Sequence, residues 1–260
     1  MASAAGRFYL WRDHGLYIGP DVSASVHAHH AMQVCVGISG GVRLRGGPGT
    51  PWHSYDGAVI PSNQPHETDV PAELLASIWL EPDSRPALRL LPDSCAALRP
   101  IDPAKLRQVV PRLRACWRAA SDSRRAAAVL EECLDILAIR EMPQRRSDAR
   151  AARARELLDD APGRRISLAD LAERVALSPS RLAHLLRAEL GMPPRRYLLW
   201  LRLRDALAEL TYGAAISDAA QAAGFADAAH LSRTFRRMLG FTPSTALRVS
   251  KFVQDEGTAS

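Results

Sequence analysis

Hydrophobic positions change their period along the chain, and the change divides it. Between residues 7 and 80, short apolar runs at 8–11, 16–19, 32–38, 42–45, 57–60 and 74–80 are separated by Gly, Pro, Asp and Asn. "GGPGTP" at 46–51 is the clearest turn. Runs of this length and spacing predict short strands folded into a small barrel or sandwich. From residue 103 the period lengthens. Asp102-Pro103 supplies an N-cap and a proline for the first helical position, and Leu106, Val110, Leu113 and Trp117 follow at helical spacing. A second helix carries Leu130, Leu134 and Leu137. Each apolar stripe needs a partner. The first is assigned to the strands, and the second is the better candidate for the seam of a homodimer.

"PQRRSDAR" at 143–150, with its proline and clustered charge, reads as a linker, and the chain beyond it is almost entirely helical. The predicted fold class is thus α+β and multidomain. The expected limits are 1–142 for a strand-rich sensing and dimerisation domain, 143–150 for the linker, 151–250 for an all-α domain, and 251–260 for a tail.

The all-α half repeats itself. Leu168, Ala172 and Leu177 correspond to Ile216, Ala220 and Phe225 at an offset of 48 residues. Leu182, Leu190, Gly191 and Pro194 correspond to Leu231, Leu239, Gly240 and Pro243 at an offset of 49. Each copy predicts a helix, a short turn and a second helix, with Gly191 and Gly240 placed for left-handed C-caps. At 100° per residue, Leu182, Leu185, Leu186 and Leu190 gather on one side of the first copy's second helix. Ser180, Ala183, His184 and Arg187 gather opposite, with Arg181 on the flank. In the other copy Leu231, Phe235, Met238 and Leu239 oppose Ala229, Ser232, Arg233 and Arg236, with His230 on the flank. Small, hydrogen-bonding and basic side chains without a carboxylate suit a helix lying in the major groove of DNA. The intervening helix carries Trp200, Leu203, Leu207 and Leu210. Its length suits two recognition helices about one DNA turn, ~34 Å, apart.

Charge supports this assignment weakly. Residues 149–260 hold 17 Lys+Arg against 12 Asp+Glu, whereas the rest of the chain is nearly balanced. A basic excess favours a polyanion. No run of 18 or more apolar residues is present and the start lacks the apolar core of a secretory signal, so no membrane partner is expected. Cys35, Cys95, Cys116 and Cys133 are scattered, which fits a reduced, cytoplasmic protein.

Residues 149–249 resemble the DNA-binding domain of AraC/XylS-type transcription regulators. The resemblance is carried by "LADLAERVALSPSRLAHLLRAELGMPPRRYL", "LRLRDALAEL" and, most specifically, "GFADAAHLSRTFRRMLGFTP". It implies a bacterial activator or repressor that binds a double-stranded operator with two half-sites, works with RNA polymerase and answers a small-molecule effector. Its DNA-contacting positions map to Ser180, Arg181, Ala183, His184 and Arg187, and to Ala228, Ala229, His230, Ser232, Arg233 and Arg236. There are departures. Ala176 stands where the first turn often has Gly, and Leu186 and Leu231 stand where Phe is common. Ala183, Ala228 and Ala229 cannot hydrogen-bond a base.

Five of the eight histidines fall between residues 27 and 66. On one strand His27, His29 and Gln33 would share a face. The pattern resembles the cupin-like barrels that precede the DNA-binding domain in many such regulators, where an HxH pair, a carboxylate and a later His form a metal site. Here Gln33 takes the carboxylate position. A divalent metal would then use His27, His29, His66 and Glu67, with no cofactor otherwise required. An effector pocket lined by His27, His29, Gln33 and His66 without metal is the other reading. An enzyme is not expected. A cupin-type metalloenzyme would need a complete ligand set, and a DNA-repair methyltransferase a reactive thiol, for which only Cys95 is placed. Leu207→Pro, which breaks the intervening helix, should abolish specific DNA binding in an electrophoretic shift assay. Circular dichroism should show the strand signal retained.

Overall fold

A computed structural model describes residues 6–20, 23–69, 74–91, 97–141, 148–160 and 166–253. They fall into two compact units, Met1–Pro143 with Phe235–Ser260, and Gln144–Thr234. The architecture is α+β, sheet-rich at the N-terminal side and helical at the C-terminal side.

In the first unit the strands are β1 (Gly6–Leu10), β2 (His14–Gly19), β3 (Ala24–His27), β4 (Met32–Ser39), β5 (Val42–Arg45), β6 (His53–Tyr55), β7 (Gly57–Ile60), β8 (His66–Asp69), β9 (Leu74–Leu80) and β10 (Arg99–Pro100). The helices α1 (Arg85–Leu90), α2 (Pro103–Arg118) and α3 (Ser123–Leu137) are interleaved with or follow them. The strands form two sheets. The larger has the order β10-β7-β4-β9-β2-β1-β11, where β11 is Ser250–Val253, and the smaller has the order β3-β8-β5-β6.

β4 shows why the layers arise. It pairs with β7 on one side and β9 on the other, and both of its faces are covered. Met32, Val34, Val36 and Ile38 join the core shared with α2 and α3. The alternate residue Cys35 joins a second core with Val42, Leu44, Ala58 and Ile60. A strand buried on both faces reads as a continuous apolar run rather than an alternation.

The helices differ from the sequence expectation in one respect. Asp102 caps α2 by accepting from the Ala104 N–H at 2.8 Å, with Pro103 first in the helix. α2 buries Leu106, Val109, Leu113 and Cys116, with Val110 and Trp117 on the flank of the core. In α3, however, Leu130, Leu134 and Leu137 are at most 5% exposed within this chain's own core. The stripe expected at a dimer seam is therefore consumed internally, because α3 packs against α2 and α1 and joins them in one core with the larger sheet.

Two further expectations are altered. The stretch expected as a tail begins with β11, which pairs in parallel with β1 from Gly6↔Ser250 to Tyr9↔Val253. Phe8 and Phe252 meet edge to face at 5.5 Å. Of the expected linker, residues 143–147 lie outside the described residues, and Ala149 already opens a helix. Leu130→Ala should cost about 2–5 kcal/mol in urea denaturation, as large-to-small changes in a packed core do. Leu247→Ala, at a position 37% exposed, should change stability by less than ~0.5 kcal/mol.

Candidate functional site

The second unit holds α4 (Ala149–Asp159), α5 (Leu168–Arg174), α6 (Pro179–Leu190), α7 (Pro194–Thr211) and α8 (Ile216–Ala222). α9 (Ala228–Leu239) begins in it and is followed by α10 (Pro243–Val249). α5, with seven residues, is too short to persist alone. It is fixed by a capping box. Ser167 Oγ accepts from the Asp170 N–H at 3.1 Å, and the Asp170 carboxylate accepts from the Ser167 N–H at 3.4 Å.

The sequence repeat reappears as a repeat of hydrogen bonds. In the first turn the Ala176 N–H donates to Glu173 O and the Leu177 N–H to Ala172 O. In the second the Gly224 N–H donates to Gln221 O and the Phe225 N–H to Ala220 O. All four pairs match at the offset of 48. Both turns need one left-handed residue, Ala176 at φ 53° and Gly224 at φ 77°. The next helices are capped alike. Ser178 Oγ accepts from the Arg181 N–H at 3.2 Å, and Asp227 Oδ1 from the His230 N–H at 2.6 Å. Gly191 and Gly240 close them at φ 67° and 80°.

Burial sorts the faces. α6 buries Leu182, Leu186 and Leu190, leaving Leu185 partly covered. Ser180, Arg181, His184 and Arg187 are exposed and Ala183 is half-buried. α9 buries Leu231, Phe235, Met238 and Leu239, and also Thr234, which the sequence pattern did not single out. Ala229, Arg233 and Arg236 are exposed, and Ala228, His230 and Ser232 are partly so. The His230 ring stands edge-on to Phe225 at 5.2 Å, so it is held against the turn. Among the described residues, Arg181, Arg187, Arg233 and Arg236 form no ion pair, whereas Arg43, Arg45, Arg89 and Arg112 each meet a carboxylate. α7, with 18 residues, is about 27 Å long. It buries Trp200, Leu203 and Leu210 and covers Leu207 in part.

A different cluster forms in the first unit. His27 ends β3, His29 lies in the connection to β4, Gln33 lies on β4 and His66 opens β8. The histidines therefore come from two strands and a loop, not from one strand face. His27, His29 and His66 are at most 6% exposed, and their ligand atoms lie within 4.8 Å of one another. Burial, then the neighbouring His29, pushes His27 down to about 3. Burial, then His27 and His29, holds His66 well below the usual imidazole range. Glu67, the remaining candidate, points elsewhere and pairs with Arg45 at 2.5 Å. Ser25, beside the cluster, donates from N and Oγ to Gly240 O at 3.2 and 2.9 Å. A separate cavity of about 550 Å³ lies between β7, β10, α2 and the end of α3, lined in part by Tyr55, Arg99 and Lys105. The candidate effector residues do not line it.

Residues 171–248 match the family model described as a helix-turn-helix domain. The chain is 39% identical over 75 residues to the transcriptional activator RhaS of Yersinia pestis (strain Pestoides F), covering 28% of each. It is 35% identical over 98 residues to an AraC-like transcription regulator of Streptomyces lividans, covering 37% of this chain and 32% of that one. The C-terminal region is an AraC-type helix-turn-helix domain. The match to these curated relatives spans about a third of their length. In overall fold the chain is similar to ToxT from Vibrio cholerae O395, with a TM-score of 0.59 at 12% identity over 91% of this chain and 96% of that one.

The two turns of the AraC-type domain differ in strain. A left-handed alanine costs ~1–2 kcal/mol, partly offset by the ~0.5–1 kcal/mol of chain entropy that glycine would lose. Ala176→Gly should therefore raise stability by up to about 1 kcal/mol, read as a higher thermal midpoint. Gly224→Ala should lower it.

Proposed function

We propose that this chain is a sequence-specific regulator of transcription that binds an operator through α6 and α9 and responds to a small ligand through its N-terminal unit. The observation that carries this reading is the duplicated helix-turn-helix, with uncommitted arginines on both outward faces. Arg187 and Arg233 stand on these faces among small or polar neighbours, which lets the helix backbone approach a groove. In this reading Arg233 reads a base, Arg236 and Arg181 hold phosphates, and the alanines contribute at most contact with thymine methyl groups. His230 serves the turn rather than a base. Regulation through RNA polymerase, and assembly as a homodimer through a surface other than the buried stripe of α3, belong to the same proposal.

The described cysteines are not placed as nucleophiles. Cys35, Cys116 and Cys133 are buried, and burial raises all three thiols, to about 12 for Cys35 and Cys133. Cys95 lies outside the described residues.

Selection of bound sequences from random DNA tests the reading. The expected motif has two unequal half-sites whose centres lie about 10 base pairs apart. Recovery of no motif would overturn it. Arg233→Ala should cost about 1–3 kcal/mol and relax preference at one position. Equal weakening on every sequence would instead make Arg233 a phosphate anchor.

A further inference from the structure

The cavity of about 550 Å³ beside β10 has an apolar floor and charge of opposite sign at its two ends. Its volume lies within the ~300–1,000 Å³ of small-molecule sites. Val59, Leu90, Ile101 and Leu137 line it, each at most 8% exposed, and all four belong to the core shared with α2 and α3. Gln33 and Cys35 share the other face of the larger sheet, since residues two apart on a strand point the same way and Cys35 lies in the second core. The cavity and the histidine cluster are therefore separate places in the unit.

Strand register distributes the charges. Arg99 stands opposite Val59 and Pro100 opposite Ala58, and the Ile101 N–H donates to Gly57 O at 2.9 Å. Arg99 thus lines the Val59 end, whereas Asp56 and Asp102 flank the Gly57 end. Three positions separate Val59 from Asp56, about 10 Å along a strand. Two of the charges are already engaged. Asp102 caps α2 through the Ala104 N–H, and Lys105 Nζ donates to Leu137 O at 3.1 Å and to Ala138 O. Arg99 is half-buried, and among the described residues its guanidinium makes no ion pair or side-chain hydrogen bond. Arg43, Arg45 and Arg89 of the same unit each meet a carboxylate.

We propose that this cavity binds an organic monoanion, an apolar body bearing one carboxylate, with the carboxylate on Arg99 and the body on the floor of Val59, Leu90, Ile101 and Leu137. The planar guanidinium fork matches a carboxylate with two parallel hydrogen bonds. One uncommitted cation balances one negative charge. A second carboxylate on the ligand would lie toward Asp56 and be repelled, and a neutral ligand would exclude water while leaving Arg99 unpaired. The proposal rests on the reading that the chain responds to a small ligand through its N-terminal unit, and it names the place and the chemistry. A ligand there touches the chain where it leaves α3. Leu137 ends the helix, and Ile139, also in the lining, donates its N–H to Arg89 O at 2.8 Å. The next helix in sequence is α4, the first of the second unit.

Titration of the full chain, without DNA, with the fluorescent monoanion 2-naphthoate tests the proposal by anisotropy. One equivalent should bind saturably. No saturable binding up to millimolar naphthoate overturns the proposal and leaves the operator-binding reading to its own selection experiment. Arg99→Gln should weaken naphthoate at least ~10-fold, the loss of one charged hydrogen-bonding partner. The same variant should change the affinity of the neutral 2-naphthamide, read by competition, less than ~2-fold. Equal affinity for naphthoate in wild type and in folded Arg99→Gln overturns the assignment. Naphthalene-2,6-dicarboxylate should bind more weakly than 2-naphthoate, and tighter binding overturns the monoanion class. His29→Gln should leave naphthoate affinity unchanged, and loss of binding in that variant, once folded, would move the ligand to the histidine cluster. Thermal midpoints without ligand show whether each variant folds.

Discussion

A short helix cannot persist in water on its own, and this one constraint organises the candidate site. α5 and α8 have seven residues each, and α6 and α9 have twelve. Helices of that length are stabilised mainly by burying one face. Leu182, Leu186 and Leu190 are held by burial in one copy, and Leu231, Met238 and Leu239 in the other. Once those positions are fixed, 3.6-residue geometry leaves Arg187, Arg233 and Arg236 outside. The surface that would meet a nucleic acid is thus a consequence of which leucines are buried. The capping residues Ser178 and Asp227 then fix where each helix begins.

The two copies are equal in hydrogen bonding and unequal in strain and surface. Both turns close with the same pair of backbone bonds, yet one puts Ala176 and the other Gly224 into the left-handed region. The first copy presents Ser180, His184 and Arg187. The second presents Ser232, Arg233 and Arg236 behind two alanines, with His230 turned against Phe225. The scaffold is the same in both copies and the outward face differs.

In the N-terminal unit the same logic of satisfied polar groups works inside the core. Three imidazoles are nearly inaccessible to water, so each Nδ1 needs an acceptor, and main-chain carbonyls two residues away in sequence supply it. That pairing decides which nitrogen faces inward. Gln33 Oε1 lies 3.0 Å from both His29 Nε2 and His66 Nε2. Ser25 then makes the shell of His27 continuous with the residue that closes α9.

The sequence by itself determined the duplicated helical modules, because helix periodicity, N-caps and C-terminal glycines are local signals that survive without tertiary information. It likewise marked six of the more apolar strands. It passed over β3, β6 and β8, which are three or four residues long and rich in polar side chains. Those strands belong to the smaller sheet, and two of them carry His27 and His66. Tertiary structure alone decided that the clustered histidines would come from two strands and a loop rather than one strand face, that Glu67 would turn to Arg45, and that the stripe of α3 would be spent on its own core. Residues distant along the chain meet only when non-local strand pairing brings them together, and no local pattern encodes the register of that pairing.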